Sequence, residues 1–124
     1  MQTYTSQTGD IVNYNLPNEF KLEFILNSNN SSSTNSAFLR FNNSSGNFIG
    51  KGSSSNRNIY LQDVILNTIP VSTDVEYTIT YDNGVTTLSD GTDTVNKTGL
   101  SLTSLYAIIG SSNCQLKNIK IKPL

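Results

Sequence analysis

At 124 residues the chain suffices for one compact domain, which buries about two thirds of its unfolded surface, and leaves no room for a second. Lys and Arg number 8 against 9 Asp and Glu, whereas Asn, Ser and Thr fill 48 of the 124 positions; a surface so polar and so nearly uncharged lacks the drive toward nucleic acid or acidic membranes. With no His and a single cysteine, Cys114, the usual zinc sets, His-assisted nucleophiles and any intramolecular disulfide are excluded.

Residues 1–5, Met-Gln-Thr-Tyr-Thr, have neither the basic nor the apolar stretch of a signal peptide. Aliphatic runs such as Phe24-Ile25-Leu26 and Val64-Ile65-Leu66 fall far short of the roughly 20 residues of a membrane-spanning helix. In residues 19–26, Phe20, Leu22, Phe24 and Leu26 share one parity and Glu19, Lys21 and Glu23 the other, the period-2 pattern of a half-buried strand. Further strands are predicted at 37–41, 47–51 and 59–66. Between them run three Asn/Ser/Thr/Gly tracts, 27–36, 42–47 and 52–58, read as loops, with the first and third leaving one end of the fold if the strands are antiparallel.

Val75, Tyr77, Ile79 and Tyr81 alternate with Glu76, Thr78 and Thr80, and Asn83-Gly84 supplies the positive-φ pair of a two-residue type I′ turn. That turn sets Asp82 opposite Val85, Tyr81 opposite Thr86, Thr80 opposite Thr87 and Ile79 opposite Leu88, so Leu88 joins the buried face. Strands at 85–89, 94–97, 105–109 and 116–122 complete the set. No window of a dozen residues carries helical apolar spacing without interruption. The fold class is therefore all-β, an antiparallel two-sheet β-sandwich spanning 1–124. Its expected core includes Phe20, Leu22, Phe24, Leu39, Phe41, Leu61, Tyr77, Ile79, Leu88, Ile108, Ile119 and Ile121; Cys114 reads as a small buried residue.

The order of Glu76-Tyr77-Thr78-Ile79-Thr80-Tyr81, a turn, a strand, the Asp90-Gly91 turn, Tyr106-Ala107-Ile108-Ile109-Gly110 and Leu116-Lys117-Asn118-Ile119-Lys120-Ile121 resembles the concanavalin A-like lectin and glucanase jelly roll, which includes laminin G-like modules. Phe20-Lys21-Leu22-Glu23-Phe24 is similar to the family's early strand, so the resemblance covers the chain from about residue 19 onward. It implies a jelly-roll sandwich and, often, glycan or cell-surface binding. Glucanases of the family carry a Glu-x-Asp-x-x-Glu strand; here Glu19, Glu23 and Glu76 are the only glutamates and no such strand exists. The metal clusters of legume-type lectins use His, which this chain lacks.

Retaining glycosidases need carboxyls about 5 to 5.5 Å apart, and Asp90 and Asp93 form the one close acidic pair off a regular strand, so a hydrolase is the least favoured function. The same two carboxylates, three apart on a turn, can converge to contribute oxygens to a hard cation such as calcium, but spacing does not supply the remaining ligands and a plain Asp-Gly turn is the favoured reading. Asn29, Asn30, Asn42, Asn43 and Asn96 begin Asn-x-Ser/Thr sequons, about as many as composition alone gives. Sugars are bound by amides and hydroxyls around an aromatic face. Trp is absent and six tyrosines remain. Asn56, Arg57 and Tyr60 form the best polar-plus-aromatic cluster, although core packing is the commoner role for a residue such as Tyr60. Tyr81 and Asn83, beside the hairpin turn, complete the candidate ligand-binding set.

The sequence thus points to a non-catalytic surface-binding or adhesion module, recognising cell-surface glycan as in phage fibres or microbial adhesins. The alternative is a structural virion or surface-assembly protein, a capsid decoration or fibre subunit, that makes only protein–protein contacts. Either would sit on a virion or cell surface and need no cofactor. The expected partners are glycan or a surface protein, or a further copy of the chain in a homo-oligomer, and neither nucleic acid nor an inserted membrane.

Overall fold

Alternation of apolar and polar residues governs the chain, and the computed structural model, which describes residues 2–4, 10–28, 36–42, 48–51, 58–108 and 114–124, is built of strands. Twelve are present among these residues: β1 (Gln2–Tyr4), β2 (Asp10–Asn15), β3 (Phe20–Ser28), β4 (Ser36–Phe41), β5 (Phe48–Lys51), β6 (Asn58–Leu61), β7 (Val64–Thr68), β8 (Val75–Asp82), β9 (Val85–Ser89), β10 (Thr94–Thr98), β11 (Ser104–Ile108) and β12 (Cys114–Pro123). They form two six-stranded sheets, β1-β12-β3-β8-β9-β10 and β2-β11-β4-β5-β6-β7. Neighbouring strands are antiparallel throughout. The β10 edge of the first sheet lies against the β6 and β7 strands of the second. No helix among the described residues is long and apolar enough to cross a membrane.

The strand at the centre of the first sheet, β3, buries every second residue from Phe20 to Ser28. Its register sets Phe20 opposite Tyr81, Leu22 opposite Ile79 and Phe24 opposite Tyr77. The paired rings of Phe24 and Tyr77 lie 5.4 Å apart and inclined by 26°, and Phe20 reaches Phe41 of the second sheet at 6.5 Å. Aromatic pairs at such separations add to what burial of their area contributes. The β8–β9 hairpin has the expected register, Asp82↔Val85 through Ile79↔Leu88, because Asn83 (φ 53°) and Gly84 (φ 77°) both take the left-handed conformation that a type I′ turn requires. The expected core residues are buried, save that the side chain of Ile108 lies outside the description, as does that of Cys114.

Four features depart from the sequence expectation. Residues 59–66 are two strands, because Gln62 adopts φ 55° and a Gln62-Asp63 turn sets Leu61 opposite Val64; lacking glycine, that turn is weakly marked. β1 and β2 have little alternation of their own and exist through pairing with β12 and β11. Asn27, Ser28 and Ser36 belong to strands, so the first polar tract is shorter than expected, and the rest of the three tracts falls outside the described residues apart from Asn42 and Asn58. The strand ends bounding the first and third tracts do lie together, since Ser36 pairs with Lys51. Finally, a bulge between Lys117 and Lys120, with Asn118 at φ 54°, lets Leu116 and Ile119 both face the core although they are three apart.

The edge where β10 meets β7 is closed by polar contacts. Lys97 Nζ of β10 donates to Asp63 Oδ1 at 2.7 Å, and this contact, ahead of the charge itself, holds the Asp63 carboxyl below its usual range. A bulge in β7 turns both Leu66 and Asn67 toward the first sheet. There the Asn67 Nδ2 donates to Asp90 Oδ2 at 2.6 Å and Asp93 Oδ2 at 3.0 Å.

Candidate functional site

In β6 the buried residues are Ile59 and Leu61, so Asn58 and Tyr60 fall on the outer face of the second sheet, half-buried. Tyr60 is therefore not a core residue. The correction follows from the Gln62-Asp63 turn, which fixes Tyr60 opposite Ile65. On its other flank Tyr60 pairs with Gly50 of β5. A glycine places no side chain beside the ring. Ile65 is 48% exposed. One row along, Thr68 Oγ1 donates to Asn58 Oδ1 at 2.9 Å across the same strand pair. The patch is thus an aromatic ring between a glycine and an exposed aliphatic side chain, bordered by an amide and a hydroxyl and carrying no charge. Such a surface offers a flat apolar platform with neutral hydrogen-bonding groups at its margin. Arg40, of outward parity on β4 between buried Leu39 and Phe41, shares this sheet face; its Nε has no hydrogen-bond partner among the described residues.

Of the other sequence-derived candidates, Asn56 and Arg57 lie outside the described residues, immediately before Asn58 in the chain. Tyr81 has inward parity on β8, packs on Phe20 with ring centroids 5.7 Å apart, and donates its hydroxyl to the carbonyl of Leu100 at 2.9 Å. The N–H of Asn83 donates to Glu19 Oε2 at 2.8 Å. That bond, followed by one from Asp82, holds the Glu19 carboxyl below its usual range, while the hydrogen bond and negative charge of Glu19 push Asp82 up. Tyr81 and Asn83 belong to the first sheet and Tyr60 to the outside of the second, so the structure does not bring them together. Sequence reasoning missed Gly50, Asn58, Ile65 and Thr68. The signal for them was Asp63: read as a turn residue, it generates the whole Tyr60 pairing.

Asp90 and Asp93 do converge, but on an amide. Asp90 Oδ1 accepts the N–H groups of Thr92 (2.9 Å) and Asp93 (2.7 Å), an Asx turn, and Asn67 lies between the two carboxyls. Burial opposes ionisation of Asp90, yet the hydrogen bonds from Asp93, Asn67 and Thr92 together outweigh it and hold the carboxyl below its usual range. Among the described residues no group of three or more acidic, Cys or His side chains is placed to hold a metal ion.

No protein-family model matches the sequence, and no curated protein matches it either. Solved structures do resemble it. A sialidase of Trypanosoma rangeli in complex with 2,3-difluorosialic acid superposes on 98% of this chain with a TM-score of 0.65 and 9% identity. A mutant of that sialidase displaying trans-sialidase activity gives 0.63 and 10% over 98% of the chain. This chain spans only about a quarter of those enzymes, 25% and 27% of their lengths. A galectin of Caenorhabditis elegans matches over 97% of this chain and 95% of its own, with a TM-score of 0.64 and 13% identity. At these identities the likeness is one of fold: the protein has a two-sheet antiparallel β-sandwich similar to that of the galectin.

Proposed function

We propose that the protein is a non-catalytic glycan-binding module whose ligand lies across the outer face of β5, β6 and β7. One observation carries this: Tyr60 stands on that face between Gly50 and Ile65, with the Asn58–Thr68 pair beside it. A sugar ring presents one C–H face and a rim of hydroxyls, and this patch complements both without requiring charge. Asn56 and Arg57, next to Asn58 in sequence, belong to the same proposed site. Near-complete superposition on a galectin supports the assignment at the level of fold. The Asn/Ser/Thr-rich, low-charge composition suits a component of a virion or cell surface that attaches to another surface through such contacts.

The test is a glycan array probed with the wild-type protein and with Tyr60→Ala, each with and without a calcium chelator. Binding by the wild type, lost in Tyr60→Ala with its thermal transition unchanged, is the expected result. The chelator should have no effect, because Asp90 and Asp93 are already engaged by Asn67. An array without signal would sink the glycan assignment and favour a role in protein–protein assembly.

A further inference from the structure

At the end of the sandwich away from the strand ends that bound the first and third polar tracts, two connections cross between the sheets side by side. Residues 16–19 lead from β2 to β3, and residues 99–103 lead from β10 to β11. Gly99, at φ 85°, takes the left-handed conformation that starts the second crossing. Between the two lies a cavity of about 230 Å³, walled by Leu16, Pro17, Tyr81 and Leu102 with Asn18 and Ser101 at its polar side.

The cavity is held open by bonds that do not use the side chains of Asn18 and Ser101 at its polar lip. The N–H of Leu16 donates to the carbonyl of Thr103 at 2.9 Å, which ties one crossing to the other. Tyr81 donates its hydroxyl to Leu100, fixing its ring as a wall. Asn42, in the left-handed conformation at the end of β4, accepts from the Thr103 N–H (2.7 Å), the Thr103 hydroxyl (2.9 Å) and the Ser104 N–H (3.2 Å), and its amide donates to the carbonyl of Ser101. A loop braced at this many points loses little conformational freedom when a ligand arrives, which lowers the cost of binding. By contrast the side chains of Asn18 and Ser101 are exposed and make no hydrogen bond to the described residues.

We infer that this cavity is a second binding site, independent of the Tyr60 face, for a small neutral polyhydroxylated ligand such as a single sugar ring. Its volume of about 230 Å³ lies below the roughly 300 Å³ at which drug-sized sites begin, so it has room for one ring at most and not for a chain. Its lining has no carboxylate, ammonium or guanidinium, so nothing compensates the desolvation of a charged ligand. Aliphatic and aromatic walls match a C–H face, and the Asn18 amide and Ser101 hydroxyl match ring hydroxyls.

The experiment is a titration of the isotopically labelled full chain with methyl glycosides of glucose, galactose and N-acetylglucosamine, and with glucuronate as the charged control, followed by amide chemical shifts. The expected result is millimolar binding of at least one neutral glycoside, with shifts at residues 16–18 and 101–103. Those shifts should persist in Tyr60→Ala, weaken about tenfold in Asn18→Ala, and vanish in Ser101→Phe, whose ring fills the mouth. Both substituted positions are exposed, so the thermal transition checks that folding is retained. Shifts confined to β5–β7, glucuronate binding as well as the neutral sugars, or no shift at 16–18 and 101–103 with any probe would each overturn the inference. Loss of the β5–β7 shifts alone would count against the Tyr60 face and leave this site standing.

Discussion

Tyr77 and Thr86 each bury a hydroxyl that has no hydrogen-bond partner among the described residues, and a buried polar group left in that state costs about 1–3 kcal/mol. For Tyr77 the cost has a pH signature. Burial first, and the negative charge of Asp90 second, push its phenol up to about 12, against about 10 in an unfolded chain. The folded state therefore holds the proton more tightly than the unfolded one. The stability associated with it is fully present below about pH 10 and is lost as pH rises toward 12. Tyr77→Phe should leave stability at neutral pH unchanged or higher, and its urea midpoint should decline less than that of the wild type across the same alkaline window. An equal decline in both proteins would show that Tyr77 titrates as an ordinary tyrosine. Period-2 alternation was enough to place Tyr77 in the core. Its orphaned hydroxyl depends on what faces it from the other sheet, which no local pattern contains.

The same division between local and distant causes holds for whole elements. The register of the β8–β9 hairpin was legible because Asn83-Gly84 admits one turn geometry. The Gln62-Asp63 turn was not, because Gln62 carries none of the usual marks of a residue with positive φ. Bulges were invisible for a related reason: an extra residue in β7 or β12 is defined only against the partner strand. Yet the β7 bulge is what sends Asn67 toward the first sheet, where it keeps two carboxylates apart. Asn67→Ala should cost about 1 kcal/mol at neutral pH, since Asp90 and Asp93 would then face each other with fewer donors. The sign of the pH dependence follows from Asp90. Its lowered pKa gives stability above the ordinary carboxylate range that is lost on acidification, and the variant should lose less of it. Urea denaturation of both proteins at acidic and neutral pH measures the difference.

At the scale of the molecule, β12 lies between β1 and β3, so the centre of the first sheet combines segments from both ends of the sequence. Leu116, Ile119 and Ile121 all enter the core from this strand. A chain ending before residue 114 should lack a cooperative unfolding transition in calorimetry, as β3 would lose one of its two neighbours; a sharp transition in that fragment would show that β12 is an accessory strand. The sandwich class could be read from alternation and turns alone, but the candidate sites could not. The Tyr60 face depends on strand pairing, and the end cavity on two crossings more than 80 residues apart in the chain. Sheets of this kind have open sides, and Lys97 bears on what becomes of one of them. It sits on the outermost strand opposite the buried Thr86, so its side chain has inward parity and its ammonium pairs with Asp63 at the exposed edge between the two sheets. Any additional strand annealing to β10 would have to cover that ammonium. The protein thereby carries, in the strand itself, a charge that disfavours fibril growth from this side.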